Sequence, residues 1–410
     1  MKRINIIGLA LSLFAATGFF AACSDDDMGP TIFDTHEYPL DRTVFTFPLD
    51  TFCKANFLEP YNLRYLYKLE DIGSDLQKNL IPATYEQSKK LAVLTKYLWY
   101  EVYQKHAGDT FLKLYSPRII LLTGSPSVNA SSHTETLGTA EGGLKVYLYK
   151  VNYLDEHNIE GHEGLNYLFF HTMHHEFAHI LDQTHSRPPS FDLLSNGKYD
   201  VQSWGEADDS LRAGQGFVSA YASSQAREDW VEVIASYVCS DTLQWQELLN
   251  NAKYEWEEVD ISPEQADSVN RLRRFSAMPD TIGHVKNISS SSNKLIRKLI
   301  ARNEATGFAA LNADGSPNYL DKDGINGHDL ILEKLKYVRE WLKEYYNVSI
   351  DDLRREVQGR TYVRNADGTF PMQGGKLINH IVSPTKSDAS VSVMDSLLQQ
   401  VNRYESLIER

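Results

Sequence analysis

The spacing of apolar residues divides the 410-residue chain into helical, mixed and again helical stretches. Residues 43–112 carry apolar side chains at helical intervals, most clearly over residues 85–106. Residues 118–123 form a short apolar run that ends at Gly124, which is typical of a buried strand, and residues 143–151 alternate strand-forming and polar side chains. The pattern therefore predicts helices first and a pair of strands after them.

Two amphipathic segments follow in the middle of the chain, and each is apolar on one side and polar on the other. Their apolar stripes consist of Phe170, Met173, Phe177 and Ile180 in the first segment and Trp230, Ile234, Tyr237 and Val238 in the second. Ser223 or Ser224 can cap the start of the second helix. After about residue 262 the helical pattern returns, with a strong amphipathic helix over residues 330–342 and a Ser-x-x-Asp cap at Ser349.

The first amphipathic segment contains His175-Glu176-Phe177-Ala178-His179, the H-E-x-x-H pattern of helical zinc sites. Two histidines four residues apart lie one above the other on a helix, so both imidazoles can bind one metal ion. Glu176 is then placed to accept a proton from the attacking water. The alternative is a half-buried helix with solvated histidines, and the glutamate in register argues against it. We therefore predict one catalytic Zn²⁺ with His175 and His179 as ligands.

Catalytic zinc usually has three protein ligands, and the sequence offers two candidates for the third. Glu228 lies in the first turn of the second amphipathic segment, on its polar side with Glu232 one turn later. His185 has the spacing of H-E-x-x-H-x-x-G-x-x-H, but Asp182 stands where glycine would let the chain leave the helix sharply. The sequence favours Glu228 and leaves His185 as the rival ligand. Glu232 or Asp182 could instead hold the back of a ligand histidine.

With these motifs the chain resembles the zinc-binding metallopeptidase lipoproteins of Bacteroidetes, which are described as substrate-import-associated zinc metallohydrolases. The likeness rests on residues 175–179, 217–222 and 228–232. A more distant likeness is to the catalytic domain of anthrax lethal factor, a gluzincin. There a glutamate of a Glu-x-x-x-Glu helix is the third zinc ligand, and a tyrosine seven residues before it assists catalysis. The resemblance implies Glu228 as ligand, Tyr221 as the donor that stabilises the oxyanion and Glu232 as a group behind the ligands.

The N-terminal residues have the features of an export signal. A basic start leads into an apolar stretch that ends with Ala21-Ala22-Cys23. This arrangement resembles a bacterial lipoprotein signal, in which Cys23 becomes the lipidated first residue. The acidic cluster Ser24-Asp25-Asp26-Asp27 resembles the surface-export signal of Bacteroidetes lipoproteins. We expect an outer-membrane lipoprotein exposed at the cell surface that contacts the membrane through its lipid anchor only; an uncleaved membrane anchor is the alternative.

Charge and cysteine content limit the partners of the protein. The formal net charge of −14 argues against nucleic acid and against anionic membrane surfaces as partners. Besides Cys23, the chain has Cys53 and Cys239, which could form a disulfide or remain buried thiols. The sequence contains no Cys-x-x-Cys pair, so we expect any zinc to be catalytic rather than structural.

These observations predict an α+β, predominantly α-helical fold. We expect a zincin-like catalytic domain with a small sheet and the H-E-x-x-H helix, followed by a helical C-terminal region. We divide the chain into a signal peptide (1–22), an acidic lipid-anchored linker (23–41), the catalytic domain (42–261) and the C-terminal region (262–410). In a zincin, an edge strand beside the metal can pair with an extended peptide, and residues 144–151 are either that strand or a plain structural one.

The predicted function is that of a zinc metallopeptidase acting on a peptide or protein substrate. The resemblance also implies two partners, an outer-membrane importer and its substrate-binding lipoprotein. One alternative is a metzincin-like protease that uses His185 as the third ligand. The other is a non-catalytic substrate-binding lipoprotein of an import complex. The intact Glu176 argues against this last alternative, because a purely structural metal has no need of a base.

Overall fold

The computed structural model describes residues 40–69, 80–128, 145–161, 163–276, 279–288, 292–304 and 307–409, together with the backbone of residues 135–136 and 138–141. The α-helices of these ranges are α1 (Phe47–Cys53), α2 (Glu59–Tyr61), α3 (Tyr85–Thr95), α4 (Glu101–Ala107), α5 (Asp109–Tyr115), α6 (Thr172–Thr184), α7 (Pro189–Leu194), α8 (Asp209–Gly214), α9 (Ala226–Cys239), α10 (Thr242–Asn251), α11 (Pro263–Phe275), α12 (Gly327–Tyr346), α13 (Ile350–Thr361) and α14 (Val393–Asn402).

Strands and short helical turns connect these helices. The strands are β1 (Arg64–Leu66), β2 (Ile119–Leu122), β3 (Ser127–Val128), β4 (Glu135–Thr136), β5 (Gly138–Glu141), β6 (Lys145–Leu148), β7 (Trp256–Ile261), β8 (His284–Asn287), β9 (Asn293–Lys298), β10 (Met372–Gln373) and β11 (Lys376–Leu377). Turns of π-helix occur at Lys54–Leu58, Lys96–Tyr100 and Asn166–His171. Turns of 3-10 helix occur at Val151–Tyr153, Trp204–Glu206, Tyr221–Ser224, Pro279–Thr281 and Glu405–Leu407. This content confirms the predicted α+β, mainly helical fold.

The main sheet has the strand order β1-β2-β6-β5, in which β1, β2 and β6 are parallel and β5 is antiparallel at one edge. The apolar run that predicted a buried strand is β2, and its Ile120 and Leu122 have no exposed surface. The alternating run is β6, which pairs with β2 on one side and β5 on the other. It is therefore an inner strand, and the edge strand whose backbone lies against α6 is β5.

The two amphipathic segments are α6 and α9, which pack against each other. All residues of both predicted apolar stripes are buried, which confirms the prediction. The polar side of α9 is covered as well, because Glu228 and Glu232 face the histidines of α6, and α12 and α13 also pack against this helix. The predicted serine cap is wrong, since the N-cap is Gln225 and the hydroxyl of Ser223 donates to the carbonyl of Ala220 at 2.7 Å inside the preceding turn.

One hydrophobic core runs from Leu49 in α1 to Val401 in α14. The predicted C-terminal helices are α12 and α13, and the hydroxyl of Ser349 accepts the amide hydrogen of Asp352 as the capping pattern indicates. The region after residue 261 is not helical throughout, because β7, β9 and β8 form an antiparallel sheet. Strands β7 and β9 pair across the boundary proposed between residues 261 and 262, so this boundary divides a sheet.

The cysteines of the described region are not paired. Cys53 and Cys239 are buried free thiols, so the disulfide alternative does not hold. Cys23 and the proposed signal and linker, up to residue 39, lie outside the described residues. Within the described ranges, no helix combines the length and the apolar character that crossing a membrane requires.

Candidate metal centre

Helices α6 and α9 bring three potential metal ligands together. His175 and His179 lie one turn apart on α6, and Glu228 lies in the first turn of α9. The Oε2 atom of Glu228 is 3.2 Å from Nε2 of His175 and 3.0 Å from Nε2 of His179. All three side chains are buried, and one ligand atom from each lies within 4.8 Å of the others.

The geometry of this cluster fits a tetrahedral cation. Ligand atoms about 2.1 Å from zinc in a tetrahedron stand roughly 3.4 Å apart, which is close to the two separations that Glu228 makes. Two imidazole nitrogens and one carboxylate oxygen are also the donor set of a catalytic zinc with an open fourth position. Three titratable groups buried together in this way suit a bound cation, because an unpaired buried charge is costly.

Glu232 supports His175 from behind. Its Oε1 atom lies 2.7 Å from Nδ1 of His175, and its Oε2 atom accepts the hydroxyl hydrogen of Ser219 at 2.6 Å. Because a carboxylate only accepts, the imidazole donates from Nδ1 and presents Nε2 to Glu228. Burial lowers the pKa of His175, but hydrogen bonds to Glu228 and Glu232 outweigh this effect and raise the pKa to about 10. A metal ion at Nε2 therefore competes with a proton.

Glu176 lies beside the cluster with its carboxylate unengaged. The side chain is buried, yet it makes no hydrogen bond or ion pair with any residue in the described part of the chain. Burial raises the pKa of Glu176 above its ordinary value, although the neighbouring His175 and His179 partly offset this. A carboxylate with a raised pKa and no competing donor is suited to accept a proton and release it again.

Tyr221 lies over the cluster in the 3-10 turn that precedes α9. Its ring stacks on His175 with 5.7 Å between the ring centroids, and Trp204 packs edge-on against it at 4.8 Å. The side chain is 37% exposed, whereas His175 is 7% exposed. Burial raises the pKa of Tyr221, and the charge of Glu228 acts in the same direction. The phenol therefore stays protonated at neutral pH and can donate a hydrogen bond.

Two other predicted residues lie away from the cluster. Asp182 does not hold a ligand histidine, because its carboxylate accepts the backbone amide of Arg187 at 2.7 Å and the guanidinium of the same residue at 2.9 Å. His185 is the C-cap of α6, and its ring stacks on Tyr345 with 4.9 Å between centroids. The structure thus brings Glu228, and not His185, next to the two histidines of the motif.

Two contacts of Glu228 were not foreseen from the sequence. Nε2 of Gln225 donates to Oε1 of Glu228 at 3.3 Å, and Nε of Arg227 lies 3.6 Å from the same oxygen. Both partners satisfy the oxygen that faces away from the histidines, so Oε2 stays directed at them. Burial raises the pKa of Glu228, but hydrogen bonds to His175 and His179 hold it well below its usual range. The carboxylate is therefore ionised whenever the protein is folded near neutral pH.

Ser219 and His171 complete the surroundings of Glu232. The hydroxyl of Ser219 also accepts the amide hydrogen of Ala222 at 3.0 Å, which ties Glu232 to the turn that carries Tyr221. Nε2 of His171 lies 3.6 Å from Oε1 of Glu232. The sequence does contain a signal for His171, because it precedes His175 by one helical turn. It contains none for Ser219, whose position depends on the course of a loop.

Comparisons with known proteins agree with this geometry. The family model described as "Putative zinc-binding metallo-peptidase" matches residues 44–351, which is more than half of the chain. The chain belongs to this family. The matched range includes the main sheet, α6 and α9, and therefore every residue of the cluster. The chain after residue 351, with most of α13 and all of α14, lies beyond the match.

A solved structure shares the fold of this zinc-binding metallopeptidase family member. The crystal structure of a "putative zinc-binding metallo-peptidase" from Bacteroides caccae superposes with a TM-score of 0.53 at 26% sequence identity. The alignment covers 80% of this chain and 95% of that chain. A comparison with curated proteins finds no match. The family and the structural neighbour both indicate a metallopeptidase as the class of activity.

Proposed function

We propose that the protein is a zinc-dependent peptidase in which His175, His179 and Glu228 hold a single Zn²⁺. One observation carries this proposal: Oε2 of Glu228 lies within 3.2 Å of the Nε2 atoms of both motif histidines, at the centre of a buried cluster. Three donors leave one tetrahedral position open, and Glu176 stands unengaged beside it. A structural zinc site has four protein ligands and no need of a base, so this arrangement favours catalysis.

The residues of the cluster have different roles in amide hydrolysis. Zinc, when bound, lowers the pKa of a coordinated water and polarises the substrate carbonyl. Glu176 accepts a proton from the attacking water and later transfers this proton to the leaving amine. Burial raises the pKa of Glu176, which makes its carboxylate a stronger proton acceptor than an ordinary glutamate. Tyr221 donates a hydrogen bond to the carbonyl oxygen as negative charge develops on it.

The arrangement on α9 supports a gluzincin assignment within this proposal. Glu228 faces both histidines, while Glu232, one turn later, contacts the far nitrogen of His175. A Glu-x-x-x-Glu helix with a tyrosine seven residues earlier is also the pattern of the lethal factor catalytic domain. The metzincin-like alternative needs His185 at the metal, and its ring packs on Tyr345 instead.

Strand β5 is the element that we propose for substrate alignment. It is the edge of the main sheet, pairs antiparallel with β6, and lies against α6. Among the described strands, none pairs with its outer edge. Such an edge offers backbone amide and carbonyl groups to an extended polypeptide, which can add to the sheet beside the metal ligands. Backbone pairing of this kind is independent of side chains, so it suits a peptidase acting on varied sequences.

We also propose that the protein works at the cell surface as an outer-membrane lipoprotein anchored through Cys23. The support is the sequence alone: small residues precede the cysteine, and the acidic residues 25–27 follow it closely. Its products would then be released beside an outer-membrane importer and its substrate-binding lipoprotein. Metabolic labelling with an alkyne fatty acid should modify the wild type and not Cys23→Ser. Equal labelling of the two would contradict the lipidation site.

The peptidase activity is tested by incubating the zinc-loaded protein with a proteome-derived peptide mixture and identifying new termini by mass spectrometry. We expect the wild type and the surface control Glu264→Gln to cleave peptides. Glu176→Gln should show no cleavage above background. Glu176→Gln should still bind zinc, because this residue is not a ligand. Identical products from Glu176→Gln and wild type, or zinc-loaded wild type without cleavage, would contradict the proposal. The second result would favour a substrate-binding lipoprotein.

A further inference from the structure

A second site candidate lies outside the metal centre. It is a cavity of about 610 Å³, here called the basic cavity, whose wall comes from three helices and the β7-β9-β8 sheet. Representative lining residues are Ser210 of α8, Asn250 of α10, Arg273 of α11, Trp256 of β7 and Lys298 of β9. None of the residues assigned to metal binding or catalysis lines this cavity.

The charge of the basic cavity is opposite to that of the whole chain. Lys253, Arg273 and Lys298 line it, and among the described lining residues Glu247 is the one that is acidic, in a protein of formal net charge −14. Arg273 is exposed and makes no hydrogen bond or ion pair within the described part of the chain. A guanidinium without a partner can bind a carboxylate through two parallel hydrogen bonds. The lining therefore selects an anionic group.

Lys298 gives the basic cavity a buried positive charge. The residue is 8% exposed, and its ammonium lies 4.0 Å from the ring centroid of Tyr254 and 5.6 Å from that of Trp256. Aromatic faces stabilise the cation, which adds to the positive charge of the lining. The cavity thus suits a carboxylate better than a neutral glycan.

Helix α8 connects the basic cavity with the metal centre. Ser210 lines the cavity, and the carboxylate of Asp209 accepts the amide hydrogen of Ala220 at 2.7 Å, directly before Tyr221. Asp209 and Ser210 are neighbours at the start of α8, so the cavity wall and the contact with the turn that carries Tyr221 meet at one end of this helix. The cavity is therefore within reach of a polypeptide that is bound at the metal centre.

We propose that the basic cavity binds acidic side chains of the polypeptide substrate, several residues away from the bond that is cleaved. This inference rests on the proposed peptidase function and adds a substrate class to it, namely polypeptides with an acidic stretch. The site compensates locally for the acidic surface, which otherwise repels such substrates. A carboxylate held by Arg273 and Lys253 at the rim and facing Lys298 inside would anchor the chain.

Binding is tested without hydrolysis, on the zinc-loaded Glu176→Gln protein, with fluorescein-labelled hexaglutamate as the probe. Fluorescence anisotropy at 0.1 M salt compares this probe with labelled hexaglutamine. The variant Lys253→Glu/Arg273→Glu reverses two charges of the cavity. The matched control Arg271→Glu/Arg274→Glu makes the same change in net charge on α11 outside the lining. All four side chains are exposed. Thermal unfolding verifies that both variants fold.

We expect the cavity variant to bind hexaglutamate at least about tenfold more weakly, because it loses two cationic partners. The control should lose clearly less affinity than the cavity variant, since its two charges act only at long range and make no direct contact in the lining. Equal weakening in both variants or absence of preference over hexaglutamine would each overturn the proposal. The assay measures binding and needs no cleavage. It therefore tests the basic cavity even if the protein proves not to be a peptidase.

Discussion

Nδ1 of His175 lies 2.7 Å from Oε1 of Glu232, while Nε2 of the same ring lies 3.2 Å from Oε2 of Glu228. Two carboxylates one turn apart on α9 therefore contact the two nitrogens of one imidazole. The contact with Glu232 fixes the tautomer, so the lone pair on Nε2 is available to a cation. Glu232 acts through His175, and we assign it as a positioning residue rather than a ligand.

Removing Glu232 should weaken zinc binding without changing the number of ions bound. We expect Glu232→Ala to reduce zinc affinity by roughly 10- to 100-fold, as removal of a group behind a ligand histidine does elsewhere. Glu232→Gln should be affected less, because its amide oxygen can still accept the Nδ1 hydrogen. Competition with a chromophoric chelator measures both affinities. Wild-type affinity in the alanine variant would show that the contact does not order the site.

Loss of the Tyr221 hydroxyl should slow the chemical step. We expect Tyr221→Phe to lower kcat by roughly 10²-fold with little change in KM, because the hydrogen bond to the oxyanion forms only in the transition state. The ring contact with His175 is kept in this variant, so zinc content should not change. Steady-state kinetics on a peptide found in the mass-spectrometric screen gives both constants. A rise in KM alone would assign Tyr221 to substrate binding instead.

A fully buried ion pair supports the start of the ligand helix. Nζ of Lys334 lies 2.6 Å from Oδ2 of Asp229, both side chains have no exposed surface, and Lys334 also donates to the carbonyl of Gly216 at 2.7 Å. Lys334→Met should destabilise the protein by about 3–5 kcal/mol, because Asp229 is left as an unpaired buried charge. The double variant Lys334→Met/Asp229→Asn should lose less stability than Lys334→Met. Urea unfolding measures the free energy of unfolding of both variants, and equal losses in the single and double variants would contradict the explanation.

Glu160 should make stability depend on pH. Burial, and next the charge of Asp241, raise the pKa of Glu160 to about 7 from an ordinary value of 4.5. The folded protein therefore holds a proton that the unfolded chain releases. This contribution to stability is complete below about pH 4.5 and is lost as the pH rises to about 7. The free energy of unfolding should fall over that range by about 3 kcal/mol from this group.

Replacement of Glu160 tests this pH dependence directly. In Glu160→Gln the decline of unfolding free energy between pH 5 and 7 should be flatter than in the wild type, because the variant has no group to titrate. Glu163→Gln is the matched control, since the Glu163 side chain is 61% exposed. Denaturant unfolding at several pH values gives the slopes. A slope in Glu160→Gln as steep as in the control would assign the dependence to another group.

The sequence predicts the histidines of the site better than their partners. His175 and His179 follow from helix geometry alone, because residues four apart share one face. Glu228 is 49 residues from His179, and its contact depends on how α9 packs on α6. The spacing rules therefore favour Glu228 over His185 without deciding between them. Asp182 shows where spacing rules fail. Its carboxylate forms an ion pair with Arg187, which lies after the end of the helix and is therefore not part of the helical pattern.

The part of the fold that the sequence missed consists of charged strands. Strands β7 and β9 pair through Glu258 with Lys294 and Glu257 with Arg297, both at 2.7 Å. Charged residues have low strand propensity, so a strand held by cross-strand ion pairs does not show the usual pattern. The position of β5 at the edge was also hidden, because strand order depends on contacts between distant segments.

The metal content of the purified protein and of single-ligand variants tests the central claim most directly. After reconstitution and dialysis, elemental analysis should find one zinc ion per chain in the wild type and in His185→Ala. It should find close to none in His175→Ala, His179→Ala or Glu228→Ala, since two protein ligands hold zinc far more weakly than three. Wild type without zinc, or full zinc in Glu228→Ala with loss in His185→Ala, would contradict this account.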